Sequence, residues 1–203
     1  MPGIFERFTE TAKSFPDFIC FQINGEGLRS LTFKEVHDRA ATTGSYLSKI
    51  GIKKGDRVAI FAENSPEWCA SYLGIVSLGA VVVPMDAQYT KEEVGNILSD
   101  SESKAIFTSK SLLPTVQEAS KDLEIDIIQL DEPVPDSPPL EFPIIADEDL
   151  ASLLYTSGTT GVPKGVMLTH GNLLSNADAL IRPGIVSHKD HVLCILPLHH
   201  TYP

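Results

Sequence analysis

Basic residues are scarce in this 203-residue chain: 16 lysines and arginines stand against 27 aspartates and glutamates, a net charge of −11. A surface that follows a nucleic-acid backbone needs the opposite balance, so broad nucleic-acid binding is excluded. Cysteine is nearly absent as well. Cys20, Cys69 and Cys194 are odd in number, far apart and without a C-x-x-C pair, which argues for buried free thiols rather than a disulfide scaffold or a structural zinc site. No apolar run reaches the roughly 20 residues that cross a bilayer, and the opening MPGIFERFTETAK lacks the charged-then-apolar layout of a secretion signal. The expectation is a cytoplasmic protein with no transmembrane segment, leaving peripheral membrane contact open.

What is present is an ordinary globular composition, 42% hydrophobic and 21% charged. The acidity is local. Asp131, Glu132, Asp136, Glu141, Asp147, Glu148 and Asp149 fall in DEPVPDSPPLEFPIIADEDL, which has five prolines and no lysine or arginine. It reads as a solvated connector over residues 131–150, dividing an α/β part at 1–130 from a glycine-rich segment at 151–203.

Before the connector, two periods alternate. Phe18 to Ile23 reads as a strand, Asn24-Gly25 as a turn and Leu28 to Leu31 as the return strand. Thr32 and Glu35 form a capping box, and Phe33, Val36, Ala40, Thr43, Leu47 and Ile50 follow at helical spacing until Gly51. Arg57 to Phe61 is an apolar strand. Ser65-Pro66-Glu67 then supplies an N-cap with proline at the first helical position, opening a helix with Trp68, Tyr72, Ile75 and Val76 on one side. Strands at Ala80 to Pro84, Lys104 to Thr108 and Ile125 to Leu130 alternate with helices from the Thr90 and Glu93 capping box to about Leu98 and from Leu112 to Ala119. Beyond the connector, Ala151 to Tyr155 reads as a strand, Thr169 opens a helix and His191 to Leu196 reads as another strand. Such alternation with short connections predicts an α/β fold with right-handed crossovers and a largely parallel sheet.

Between those last strand and helix starts lies LLYTSGTTGVPKGVMLTHGNLL, Leu153 to Leu174. Gly158, Gly161 and Gly165 can take positive φ and let the backbone approach a ligand, and successive amide hydrogens in such a turn make an anion nest. Thr156, Ser157, Thr159 and Thr160 add hydroxyl donors, and Lys164 adds a mobile positive charge. These groups suit a triphosphate. A Walker loop would need Gly-Lys-Ser/Thr four residues after Gly158, where this chain has Pro163-Lys164-Gly165, so the loop is of another kind.

YTSGTTGVPKGVMLTH resembles the phosphate-binding motif of the adenylate-forming (AMP-binding) superfamily, which includes acyl-CoA synthetases, luciferases and the adenylation domains of peptide synthetases. LPLHHTYP, Leu196 to Pro203, resembles the family's next motif. LTFKEVHDRAATTGSYLSKIGIKKGDRVAIFAENSPEW and YLGIVSLGAVVVPMDAQYT share the cadence of the family's amino-terminal part. The resemblance implies two partial reactions: a carboxylic acid and MgATP give an acyl-adenylate and pyrophosphate, and a thiol, usually that of coenzyme A, displaces AMP.

Carried over residue by residue, the resemblance implies that Thr156, Ser157, Gly158, Thr159, Thr160, Gly161 and Lys164 grip the β- and γ-phosphates. It implies that His200 orients the acyl carboxylate, with His199 beside it in the pocket wall, so that His200 and Lys164 carry the chemistry. The family's magnesium-holding glutamate, ribose-binding aspartate and carboxyl-terminal catalytic lysine have no counterpart here, so none of these residues is expected to be a metal ligand. The expectation is an amino-terminal fragment of an acyl-CoA synthetase, inactive alone and prone to self-association through exposed sheet edges. The ending His-His-Thr-Tyr-Pro resembles fatty acyl-CoA synthetases. Aryl-CoA ligases, luciferase-like enzymes and amino-acid-activating domains rank second, and a non-catalytic nucleotide-binding or interaction module is the alternative of another class.

The remaining polar and aromatic candidates have simpler readings. His188, His191, His199 and His200 lack a carboxylate to complete a zinc set. His37 reads as solvated, and His170 as support for the exit of the loop. Trp68 and Tyr72 read as core rather than as a base-stacking platform, since the basic groove that stacking requires is missing.

Overall fold

The computed structural model describes residues 3–24, 27–135, 137–156, 164–187 and 190–200. In chain order the elements are α1 (Ile4–Ser14), β1 (Ile19–Asn24), β2 (Leu28–Thr32), α2 (Phe33–Lys49), β3 (Arg57–Phe61), α3 (Pro66–Ser77) and β4 (Val81–Met85). They continue with α4 (Lys91–Ser101), β5 (Ala105–Thr108), α5 (Leu113–Ala119), β6 (Asp126–Gln129), β7 (Leu150–Thr156), β8 (Lys164–Thr169) and α6 (His170–Ile181). β1 and β2 pair as an antiparallel hairpin. The other strands form one sheet in the order β6-β5-β3-β4-β7-β8, parallel throughout except for the antiparallel edge strand β8.

The apolar runs of β3, β4 and β5 suit strands covered on both faces, and period-two alternation sends their side chains to two cores. Val58, Ile60, Val82 and Phe107 face one core, with Val36, Leu47, Trp68 and Ile75 from α2 and α3. Ala59, Phe61, Val83, Met85 and Ile106 face the other, with Val94, Ile97, Leu98 and Val116 from α4 and α5. The three capping arrangements read at Thr32, Ser65 and Thr90 are all present. α2 and α3 touch closely because Gly44 and Gly74 face each other's helix: a Cβ on Gly74 would lie 2.6 Å from Thr43 Cβ and 2.9 Å from the Ala40 carbonyl oxygen.

From β3 the chain passes over one face through α3 to β4, then back over the other face through α4 to β5, on the far side of β3. Neighbouring strands β3 and β4 thus send their connections to opposite faces. Their carboxyl ends form the switch point at which open α/β sheets hold ligands.

Several sequence expectations are corrected. α1 was not anticipated; it packs Phe5 into the first core, edge-on to Phe142 with ring centroids 5.2 Å apart. Phe142 lies in the connector, which therefore contributes to the core as well as to the surface. His191 to Leu196 forms no strand, and Val192, Leu193 and Ile195 are exposed. No backbone ladder is recorded for that stretch among the described residues, and an apolar run becomes a strand only with a partner edge. His37 is not simply solvated: its ring stacks on Phe5 with centroids 5.4 Å apart. Trp68 is buried, and the Tyr72 hydroxyl lies 2.6 Å from that of Ser152, as core residues should.

Candidate functional site

β8 reveals what the glycine-rich stretch is locally. β7 and β8 pair antiparallel, with Thr156 opposite Lys164 and Tyr155 opposite Gly165, so the two ends of the stretch are adjacent strands of one ladder. Ser157, Gly158, Thr159, Thr160 and Gly161 lie outside the described residues. Residues directly opposite across a ladder share a face of the sheet. Thr156 and Lys164 are therefore neighbours at the base of the turn, both exposed, at the carboxyl end of β7. Thr156 has the same alternation as Ser152, which meets Tyr72 of α3, so the pair is on the α3 face.

Gly165 is a strand residue and not among the described glycines with positive φ, contrary to the turn reading above. Its smallness serves a close approach instead, since a Cβ there would meet Leu153 Cδ1 at 2.8 Å. β8 runs directly into α6, whose N-cap Thr169 forms a reciprocal capping box with Asn172. His170, directly behind that cap, is fully buried and accepts the Ile4 N–H at Nδ1.

The second motif docks at the switch point. Asn64, just past β3, donates from Nδ2 to the Leu196 carbonyl at 2.9 Å and accepts the Leu198 N–H at Oδ1 at 2.8 Å. This double contact imitates a strand partner and holds residues 196–198. Leu198 packs against the first core. His199 then points at Asp86, just past β4, with Nε2 3.6 Å from Oδ2, and its ring lies 4.2 Å from that of His200, tilted by 46°. The His199 side chain is 12% exposed, whereas His200 is exposed. Burial holds the His199 pKa below the ordinary histidine range, Asp86 pulling it up and His200 pushing it down.

Three neighbouring parallel strands, β3, β4 and β7, thus deliver Asn64, Asp86 with the histidine pair, and Thr156 with Lys164 to one end of the sheet. Asn64 and Asp86 were missed by sequence reading. The available signal was position: each closely follows an apolar strand, where such folds place polar site residues. Chemically the arrangement offers a cation and a hydroxyl for an anion, beside an imidazole pair. Among the described residues no group of three or more histidine, cysteine, aspartate or glutamate side chains could hold a metal ion.

The sequence family described as AMP-binding enzyme matches residues 8–203. The chain belongs to the AMP-binding enzyme family, and its α/β fold with a mostly parallel sheet is that of the amino-terminal domain of adenylate-forming enzymes. It is 32% identical over 211 residues to 4-coumarate–CoA ligase CCL1 of Humulus lupulus, covering 95% of this chain and 38% of that protein. Oxalate–CoA ligase of Arabidopsis thaliana is 33% identical over 219 residues, covering 100% of this chain and 41% of that protein. Among solved structures, the inhibitor-bound N-terminal domain of FACL13 from Mycobacterium tuberculosis superimposes with a TM-score of 0.85 at 31% identity, covering 98% of this chain and 52% of that one. O-succinylbenzoate coenzyme A synthetase (MenE) from Bacillus subtilis, in complex with AMP, gives 0.84 at 26% identity, covering 98% of this chain and 50% of that one. The chain therefore spans well under half the length of these two curated relatives.

Proposed function

We propose that this chain is the part of an ATP-dependent acid–thiol ligase that receives the triphosphate and the carboxylic acid. The carrying observation is that the paired strand ends Thr156 and Lys164 lie at the same end of the sheet as the His199 and His200 pair. Activation brings a carboxylate oxygen to the α-phosphorus of ATP, two anions that repel each other until placement and positive charge offset the repulsion. The roles of the turn residues Ser157 to Gly161 are as donors to the β- and γ-phosphates, with Thr156 and Lys164 anchoring the base of the turn. Lys164 follows the charge of the pyrophosphate as the phosphoanhydride bond breaks. His200 donates to the acid and aims its oxygen at phosphorus. The thiol of coenzyme A then attacks the acyl carbon, and AMP leaves.

Mg²⁺ supplied with ATP would screen the triphosphate. The described residues offer no ligand set for it, so no step here is assigned to the ion. The site reading is that of a cytoplasmic enzyme, and among the described residues no helix is long and apolar enough to cross a membrane.

A fatty acid is the substrate class favoured by the ending Leu196 to Pro203. An aryl or short dicarboxylic acid is the second reading, favoured by the names of the 4-coumarate and oxalate ligases to which the chain is similar. Pyrophosphate exchange in the ligase containing this chain, driven by fatty acids, 4-coumarate and oxalate in turn, tests both. Exchange with one class identifies it. ATP binding without exchange for any acid would replace the ligase reading with a nucleotide-binding module. The 203 residues alone should bind ATP weakly and give no exchange.

A further inference from the structure

Tyr155 is the β7 residue directly before Thr156, and strand alternation turns its side chain to the opposite face, against the second core that α4 and α5 cover. Its hydroxyl donates to Oδ2 of Asp100, in the last turn of α4, at 2.5 Å across 55 positions of sequence. That is the short length of a hydroxyl bound to a carboxylate. Burial, then the Asp100 carboxylate, push the Tyr155 pKa well above its ordinary value against a weaker pull from Arg57, so the hydroxyl keeps its proton. α4 is a firm anchor. Val94, Ile97 and Leu98 are buried in the second core, and Arg57 Nε donates at 2.6 Å to the carbonyl of Ser101, the residue after Asp100.

The ring has a second neighbour. Tyr155 stands opposite Gly165 in the β7–β8 ladder, and a Cβ on that glycine would lie 3.6 Å from Tyr155 Cζ. The ring therefore lies over a β8 residue that has no side chain of its own. The first four residues of β8 are exposed, and among the described residues its only ladder is with β7. Few contacts besides that ladder and this ring fix the strand end that carries Lys164.

We propose that Tyr155 is a positioning residue for ATP: tied to Asp100 and lying over Gly165, it fixes the paired strand ends so that Thr156 and Lys164 meet the triphosphate in one place. It acts through those two residues and need touch no substrate. The inference rests on the reading of Thr156 and Lys164 as phosphate contacts, and only its consequence for activity depends on that reading.

The tether can be broken from either side. Tyr155→Phe keeps the ring over Gly165 and removes the hydroxyl; Asp100→Ala removes the acceptor, and Asp100→Asn keeps one. Hydrogen exchange of the β8 amides in the 203-residue chain reads the geometry without any activity. Exchange there should be about three- to tenfold faster in Tyr155→Phe and in Asp100→Ala, with Asp100→Asn close to the unaltered chain and the amides of β3 and β5 unmoved. Unaltered β8 exchange would overturn the tether, and the Asp100 variants decide the matter if Tyr155→Phe does not fold. In the ligase containing this chain, Tyr155→Phe and Asp100→Ala should each lower kcat/KM for MgATP in pyrophosphate exchange about three- to tenfold. The double variant should lose no more than either single one. Thiolysis of acyl-adenylate supplied ready-made should be unchanged, which a general loss of stability would not allow. Equal loss in both half-reactions, or additive losses in the double variant, would overturn the positioning role. Unaltered ATP kinetics in Tyr155→Phe would overturn it too if Lys164→Ala lowers them, and would refute the phosphate reading itself if Lys164→Ala does not.

Discussion

Ile4 donates its backbone N–H to Nδ1 of His170 at 3.2 Å, across 166 positions of sequence. The N-cap of α1 is Gly3, which has no side chain to offer, so one of the unsatisfied N–H groups of that helix is met by an imidazole from α6. Arg7 adds a 2.8 Å ion pair to Asp178, on the same two helices. Because α6 begins directly after β8, the amino-terminal helix braces the segment that leaves the β7–β8 ladder.

That contact has a pH dependence with a definite sign. Burial holds the His170 pKa below its ordinary value of about 6.5, opposed by Asp149 and Asp147 and aided by Lys54. In the unfolded chain His170 protonates first. Its contribution to stability is therefore complete above pH 6.5 and is lost as pH falls from there through the folded pKa. His170→Gln keeps an acceptor for Ile4 and does not titrate. Urea midpoints between pH 7.5 and 5 should fall less steeply in His170→Gln than in the unaltered chain; parallel curves would contradict this.

Gly74→Ala tests the α2 and α3 contact. Alanine gains about 1 kcal/mol of helix propensity over glycine, but the new methyl would press on Thr43 and on the Ala40 carbonyl, backbone that cannot swing aside. Overpacking outweighs the gain, for a net loss of about 1–2 kcal/mol. The expected result is a lower urea midpoint with an unchanged slope; an equal or higher midpoint would show that the helices separate at little cost.

Lys164 stands opposite Thr156 at the base of the turn and is exposed, so its loss should leave the fold intact. In the ligase containing this chain, Lys164→Ala should reduce kcat/KM for MgATP about tenfold to hundredfold, the scale of one charge-assisted contact. Unaltered ATP kinetics in a folded variant would remove the lysine from the site.

The three thiols should separate by reactivity. Burial pushes Cys20 and Cys69 up to about 12, with Cys20 and Cys194 adding to the effect on Cys69, and Cys194 is exposed. Thiolate is the reactive form. A disulfide reagent at pH 8 should consume one thiol quickly and the other two only after unfolding, and Cys194→Ser should abolish the quick phase. Two quick thiols would contradict the burial of Cys69.

Self-association is the fifth expectation. Val192, Leu193 and Ile195 are 74%, 83% and 78% exposed, and β8 ends the sheet with a free edge among the described residues. Sedimentation should show mass increasing with concentration, and Leu193→Lys with Ile195→Lys should reduce it. A monomer at all concentrations would refute the idea.

The local signals in the sequence carried the fold a long way. Capping boxes at Thr32 and Thr90, the Ser65-Pro66 start and the β-branched runs of β3 to β5 lie within short windows, and each appears within a few residues of its expected place. Thr156 and Lys164 were read as candidates because glycines, hydroxyls and a lysine occur together in one stretch. Asn64 and Asp86 were not, since each is an isolated polar residue with no local pattern to single it out.

Composition and periodicity determined by themselves that the chain alternates strand and helix and where most elements begin, and the motif at Tyr155 to His170 showed the family. These depend on contacts a few residues apart, which the chain order encodes directly. Only the tertiary structure decided that the two ends of the motif pair as β7 and β8 at the sheet edge, that His191 to Leu196 finds no strand partner among the described residues, and that His170 caps a helix at the other end of the chain. It also brought Asn64, Asp86 and the histidine pair to one switch point. Each of those outcomes depends on which distant groups meet, and an unpaired backbone edge or a buried donor is satisfied by whatever the packed chain places beside it.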